Sequence, residues 1–447
     1  MEDDPADLGP DPRARRLPRA AQPFREPRYR VLVASMTLSL FGAGMWIVAV
    51  AWQVIAQGGG PAELSIVATG AATGLIAAVL VGGALADRIP QRRIMIAVEG
   101  AKALSLGVAS VLTLTGGIEI WHLALVSVVL GIADGFYYPA YSALLPAILP
   151  AGQLLAANGV EGMLRPIIMQ AAGPAVASAT IAVASPGAAF ALIATAQVLA
   201  MGFLVVMRAA PSRREPGEPA GGSARRHPIM SMLTDVRDGF AYMLRTSWLL
   251  GTLSYFTLLV LVLMGPIEVL LPFAVKDQAG GGPAGFALAL AAFGIGGAAG
   301  SLLVASRVLP RRYLTVMNLL WGLGCVPIAL IGVTNDLWVM VAALFVAGFA
   351  FEAGTVIWGT LLQRRVPASL LGRVSSLDFF VSLALMPVSM AVAGPVGEAI
   401  GLAPAFLVAG LVPPVLAIAA IVLFRMPRDE IAHPLADTGP ASGLDTD

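Results

Sequence analysis

Twelve apolar stretches, separated by short polar breaks, constrain this chain more than any other feature. They run over 31–56, 64–86, 94–115, 121–145, 155–182, 187–207, 248–274, 283–305, 313–333, 337–361, 374–396 and 402–424. A helix needs about 20 apolar residues to cross the ~30 Å hydrocarbon layer, so twelve crossings take roughly 240 residues. The chain has 447 and accommodates them with ample length for loops and tails. Composition removes the soluble alternative: 57% of residues are hydrophobic and 12% charged, where soluble domains carry about 25% charged. The 28 Lys and Arg and 27 Asp and Glu could not coat the three soluble domains that this length suggests. The expected fold is an all-α polytopic membrane protein of twelve spans.

The one long interruption divides six stretches from six. Residues 208–246 open with Pro, Gly, Ser and Arg and read as a linker. Its second part spaces Ile229, Met232, Leu233, Val236, Phe240, Met243 and Leu244 at helical intervals; this is either a helix on the membrane surface or a lead-in to the seventh span. Residues 1–28 hold six acids, six arginines and six prolines with no apolar core, so they read as a disordered cytoplasmic arm and not a signal peptide. The expected units are that arm, a six-helix bundle over 29–207, the linker, a second bundle over 247–425 and a tail over 426–447. With the N-terminus inside, 25 of the 28 Lys and Arg fall in cytoplasmic segments and only Lys276 outside, which puts both termini in the cytoplasm.

The halves repeat. Ala86-Asp87-Arg88-Ile89-Pro90-Gln91-Arg92-Arg93 pairs with Ala305-Ser306-Arg307-Val308-Leu309-Pro310-Arg311-Arg312 at an offset of 219. Gly131, Leu144-Leu145 and Pro150 pair with Gly348, Leu361-Leu362 and Pro367 at 217, and Gly173-Pro174 with Gly394-Pro395 at 221. Two parallel six-helix halves are a transporter architecture.

Several function classes lose their tools. The single cysteine, Cys325, allows no intramolecular disulfide or thiolate metal site. The net charge of +1 leaves no basic face for nucleic acid. Neither lysine, Lys102 or Lys276, stands in a phosphate-binding Gly-Lys-Ser or Gly-Lys-Thr. The three histidines, His122, His227 and His433, form no zinc motif, and no serine sits in Gly-x-Ser-x-Gly. An intramembrane hydrolase built on carboxylates alone is the remote enzyme alternative. No cofactor and no metal are expected.

The run Gly83-Ala84-Leu85-Ala86-Asp87-Arg88-Ile89-Pro90-Gln91-Arg92-Arg93 resembles the loop signature between helices two and three of the major facilitator superfamily. The glycine that usually follows Asp-Arg is absent, and the basic pair comes one residue late, a variant similar to that of the transmembrane-effector branch of macrolide, multidrug and siderophore exporters. Pro139-Ala140 to Ala143-Leu144-Leu145-Pro146, then Pro150, Leu154-Leu155 and Ala157-Asn158, resemble the same branch, as does Leu371-Gly372-Arg373-Val374-Ser375-Ser376. The resemblance covers 31–425. It implies alternating access, with Gly83, Asp87, Arg88, Arg92 and Arg93 as gate residues: the Asp87 carboxylate locks the cytoplasmic ends of the halves together in the outward-facing state. Two departures stand out. The fourth-helix arginine of the family would fall near Gly131, so its proton-coupling role does not carry over. The fifth-helix antiporter motif survives only as Gly173-Pro174, with Ala177 and Ser178 in place of glycines.

Ionisable groups inside spans are costly and by default functional candidates. Asp134 and Glu352 lie near mid-membrane, 218 residues apart, in near-equivalent places. Arg165 should share the depth of Asp134, predicting an Asp134–Arg165 ion pair, either broken during the cycle or a permanent clasp. Glu268 follows Gly265-Pro266, a kink position, and is either an outer-gate carboxylate or a group that reaches the outer surface. Glu99 and Lys102, three apart, are expected to neutralise one another. Asp378 and Glu161 are expected to cap the starts of spans eleven and five. Gly173-Pro174 and Gly394-Pro395 are the expected helix kinks. Trp46, Tyr137, Tyr138, Tyr141, Tyr255, Phe256, Trp358, Phe379 and Phe380 either line a greasy cavity or pack between helices and lipid.

The expectation is a secondary transporter, monomeric, in a bacterial plasma membrane. It exchanges protons for a hydrophobic or amphipathic small molecule, such as an antibiotic, drug or secondary metabolite; a siderophore or nutrient permease is the alternative.

Overall fold

The computed structural model describes residues 19–86, 89–207 and 239–435. These hold twelve helices long and apolar enough to cross a membrane and no strand. The first six are α1 (Pro27–Ala56), α2 (Pro61–Ala86), α3 (Gln91–Leu114), α4 (Ile120–Ile148), α5 (Gly152–Val183) and α6 (Pro186–Val206). The second six are α7 (Ser247–Gln278), α8 (Pro283–Ala305), α9 (Tyr313–Ile331), α10 (Leu337–Arg365), α11 (Arg373–Ile400) and α12 (Leu402–Leu423). A short helix, α13 (Met426–Ala432), follows. With twelve crossings among the described residues, the start of α1 and the end of α12 share one end of the bundle, called here the termini end. Of the expected units, residues 1–18, 208–238 and 436–447 lie outside the described residues, as do Asp87 and Arg88 of the gate motif.

Prolines sit in the first turn of α1, α6 and α8, where a missing N–H costs nothing. Ser185 caps α6 by accepting the Ala188 N–H at 3.2 Å, and Asp336 caps α10 by accepting that of Trp338 at 2.8 Å. α1–α6 pack on one another, as do α7–α12, and the two sets meet where α2 faces α11 and α5 faces α8.

The repeat has a packing cause. A Cβ at Gly131 on α4 would overlap the carbonyl oxygen of Ala71 on α2, and one at Gly348 on α10 would overlap that of Phe293 on α8. One turn away, a Cβ at Gly74 would lie 2.5 Å from the Val128 carbonyl oxygen, and one at Gly296 would overlap that of Phe345. Helices in lipid associate by close packing of small residues, so both halves keep glycines at matching crossings.

α5 widens to a π-helix over Arg165–Ala172 and returns to α at Gly173; Pro174 has no N–H to offer the Gln170 carbonyl and crowds the turn before it, and Pro166 lies in the first turn of the wide stretch. Gly173 also lets α1 approach, since a Cβ there would lie 2.7 Å from the Phe41 carbonyl oxygen. α11 breaks at Ala384 and Leu385, before Pro387, while Gly394-Pro395 lies within the continuous helix Met386–Ile400. The change expected at Gly265-Pro266 is present as a π turn over Pro266–Leu270. The helices of α5 and α11 begin at Ala151 and Ala368. Glu161 and Asp378 consequently lie inside their helices and do not cap them.

Candidate functional site

Asp134, Tyr138 and Tyr141 follow one another at i, i+4 and i+7 on α4, so they form one stripe. Tyr138 and Tyr141 line a cleft of about 480 Å³ between α4 and α5 at the termini end, with Ser142, Asn158, Glu161 and Arg165 among its walls. Tyr138 is exposed and stacks on Phe379 of α11, ring centroids 6.3 Å apart and planes 6° from parallel. That stack joins the two halves beside the cleft. Tyr137 stacks on Tyr141 at 6.3 Å, and both hydroxyls are buried without a hydrogen bond among the described residues.

The expected Asp134–Arg165 pair does not form. Asp134 Oδ1 accepts a hydrogen bond at 2.6 Å from Nζ of Lys102 on α3, whereas Arg165 pairs with Glu161, four residues earlier on its own helix, at 3.3 Å. The short turn between α4 and α5 does not decide which way each side chain points around its helix. Lys102 therefore does not serve Glu99 alone as expected. The signal was in the sequence: a lysine in a span has a four-carbon stem that reaches a neighbouring helix.

Glu352 is half-buried on α10 against α8, where a Cβ added at Gly297 would lie 2.8 Å from its Cγ. It has no hydrogen bond or ion pair among the described residues, and the charge acting on it is that of Arg165 across the interface. Glu268, half-buried in the π turn of α7, is likewise unpaired among the described residues. Asp378 accepts hydrogen bonds from Trp358 Nε1 at 3.0 Å and Ser382 Oγ at 3.1 Å, tying α10 to α11.

The other aromatic candidates split away from the cleft. Trp46 packs on Phe190 of α6. Phe256 sits edge-on to Trp321 at 4.9 Å, and Trp358 lies beside Trp321 and Trp248 within the second half. Tyr255 is buried with an unpartnered hydroxyl, and Phe380 is half-buried beside Phe379. These are packing residues, because an aromatic periodicity looks the same whether it faces a cavity or another helix.

Of the gate motif, Gly83 lies in α2 and Arg93 is exposed. Arg92 donates from Nε to the Leu204 carbonyl at 2.7 Å and from a terminal nitrogen to that of Val205 at 2.6 Å. Arg312, from the matching loop, donates to the Pro427 carbonyl at 3.0 Å. Arg92 thus clasps the end of the last span of its half, whereas Arg312 clasps α13, which follows the last span of the other.

At the far end the halves are closed on one another. Ser65 Oγ of α2 accepts the Gly394 N–H of α11 at 2.7 Å, Glu398 accepts the Ala62 N–H at 2.9 Å, and Trp52 stacks on Phe286 of α8 at 5.7 Å. Sequence reasoning missed Ser65 and Glu398, which carry no motif. The arrangement is a cleft with ionisable groups between α4 and α5 at the termini end, with contacts between the two halves at the far end.

The model of the transmembrane secretion effector family matches residues 19–439. The chain is 29% identical over 422 residues to a multidrug efflux pump of Mycolicibacterium fortuitum, covering 91% of this chain and 98% of that protein. It is 24% identical over 334 residues to a macrolide efflux protein of Streptococcus pyogenes, covering 73% and 79%. Among solved structures it resembles a nucleoside transporter, with a TM-score of 0.68 at 14% identity over 89% of this chain and 99% of the other. It also resembles a bacterial homologue of the lysosomal transporter Spinster in an inward-facing conformation, with a TM-score of 0.65 at 15% identity over 92% and 99%; these two likenesses bear on fold alone. The chain is a multi-pass membrane transporter of the major facilitator fold, not an enzyme, and it belongs to the transmembrane secretion effector family.

Proposed function

We propose that this chain exports hydrophobic or amphipathic small molecules from a bacterial cell in exchange for protons. It acts as a monomer in the plasma membrane with both termini in the cytoplasm. The observation that carries the reading is the cleft between α4 and α5, open at the termini end while Glu398, Ser65 and Trp52 shut the far end. In that orientation the cleft faces the cytoplasm and the far-end contacts close the outer side, which supports loading from the cytoplasm. Tyr138 and Phe379 offer flat apolar faces, Glu161 and Arg165 supply charge in the cleft wall, and Asp134 lies one turn beyond Tyr138 on the same stripe of α4. The printed names of the relatives, multidrug and macrolide efflux, support the same substrate class. By family resemblance Asp87 takes over when the cycle reverses, locking the termini end.

The test is drug uptake into everted vesicles energised by respiration. Uptake that an uncoupler abolishes and Asp134→Asn reduces at least tenfold supports proton-linked export. Uptake that ignores the uncoupler, or that occurs only into right-side-out vesicles, overturns it.

A further inference from the structure

α3 holds an arrangement that export as such leaves unassigned. Glu99 is 0% exposed, and neither carboxylate oxygen has a hydrogen-bond partner among the described residues. The Ser39 hydroxyl of α1 approaches it as a single weak donor, too poorly placed to form a full hydrogen bond. Three residues on, Lys102 is 4% exposed, with Nζ bonded to Asp134 and 5.4 Å from the Tyr137 ring. Asp134 is different: its side chain is 54% exposed, at the head of the stripe that leads into the cleft. α1 over 31–56 and α6 over 186–206, which also pack on α3 or α4, contribute no Asp, Glu, Lys or Arg; α2, which packs on α4, contributes Glu63 in its first turn, and α5 contributes the paired Glu161 and Arg165.

The charges balance in only one way. Lys102 and Asp134 neutralise each other, and an ionised carboxylate buried without partners costs so much that it takes up a proton instead. Glu99 in this state is a neutral acid. Residues three apart on a helix are neighbours, so the lysine stem can turn between Asp134 on α4 and Glu99 on its own helix without moving either backbone.

Resting on the export reading, we propose that Glu99 carries the exchanged proton and that Lys102 is the switch that releases it. A substrate bearing one positive charge binds Asp134 from the cleft and displaces the ammonium. The ammonium turns to Glu99, whose O–H bond breaks, and the proton leaves to water. Before binding the site holds Asp134 negative, Lys102 positive and Glu99 neutral. Afterwards it holds two carboxylates and two cations. Each monocation is therefore exchanged for one proton with no net charge crossing at this site. The substrate class follows: an amphipathic monocation whose flat apolar body lies on Tyr138 and Phe379 while its cationic group reaches Asp134. Neutral compounds lack the charge needed to move Lys102.

Purified full-length protein in lipid nanodiscs tests this with tetraphenylphosphonium as the cation. Infrared spectra of the wild type should show a protonated-carboxyl carbonyl band that is missing in Glu99→Gln. Adding the cation should remove the band and release one proton for each cation bound, read with a pH dye in weak buffer. Lys102→Met should bind the cation while keeping the band and releasing no proton. No Glu99-dependent band, a wild-type band that the cation leaves in place, or equal proton release from Glu99→Gln overturns the proposal. If Glu99→Gln does not fold, the wild-type band, its response and Lys102→Met decide alone. Vesicle transport of the same cation separates the two readings. Export by Glu99→Gln that responds to a pH gradient as the wild type does leaves export standing and sinks the Glu99 site. Infrared exchange without any vesicle transport leaves the site standing and sinks export.

Discussion

Glu398, near the end of α11, accepts a hydrogen bond at 2.9 Å from the backbone N–H of Ala62, in the first turn of α2. A carboxylate of one half thus caps a helix of the other, where the unpaired N–H groups and the positive end of the helix dipole favour negative charge. This contact exists only while the far end is closed.

Removing that cap should favour the state open at the far end. A lost N-cap costs about 1 kcal/mol, which shifts a two-state equilibrium about fivefold. Thr69 lies two turns along α2 from Pro61, on the face that meets α11. In a Cys325→Ala background, Glu398→Ala should raise the maleimide labelling rate of Thr69→Cys about fivefold. An unchanged rate would mean that Glu398 is no latch.

The glycine crossings of the two halves should be equally sensitive. Gly131→Ala and Gly348→Ala each push a methyl into a backbone carbonyl of the facing helix, and overpacking of this kind costs about 1–3 kcal/mol. Both should lower the thermal midpoint measured by fluorescence-detected size exclusion. Gly107→Ala, where nothing lies within 4 Å of the added methyl, should leave the midpoint unchanged or raise it. Equal effects at all three positions would remove the close-packing account.

Arg92 makes two bonds to carbonyls at the end of α6, beside any part it takes in a gate. Arg92→Ala should destabilise the protein by about 1 kcal/mol, since a hydrogen bond to a charged group contributes roughly that much where solvent reaches it. Arg92→Lys keeps the charge but loses the two-pronged geometry and should fall between. A purely gating arginine would change transport and leave the thermal midpoint alone.

α13 straps the termini end of the second half. Glu430, buried, accepts the Thr315 N–H at 2.6 Å and its hydroxyl at 3.0 Å at the start of α9. The neighbouring Asp429 is bonded to Arg365, whose guanidinium lies 4.6 Å from the Trp248 ring. Glu430→Ala should cost about 1–2 kcal/mol through the uncapped α9, while Glu430→Gln, whose one amide oxygen can still accept the Thr315 N–H, should cost less. A thermal-shift series in which the two variants behave alike would rule out the cap.

The number of spans, the two halves and the repeat were legible in the sequence, because lipid imposes a length of about 20 apolar residues on every crossing and duplicated helices keep the small residues their crossings need. The partners of the charged groups were not. Each residue turns a helix by about 100°, so two side chains at one depth meet only if their azimuths agree. Asp134 and Arg165 were expected at one depth, yet Asp134 found Lys102 and Arg165 found Glu161. The cleft aromatics faced the same ambiguity: Tyr138 and Tyr141 line it, while Phe256 and Trp358 pack around Trp321. Glu398 and Ser65 act on backbone N–H groups of the opposite half, a kind of partner that leaves no pattern in side-chain sequence. Only the docking of one half on the other decides such contacts, because their energy comes from which helix ends are brought face to face.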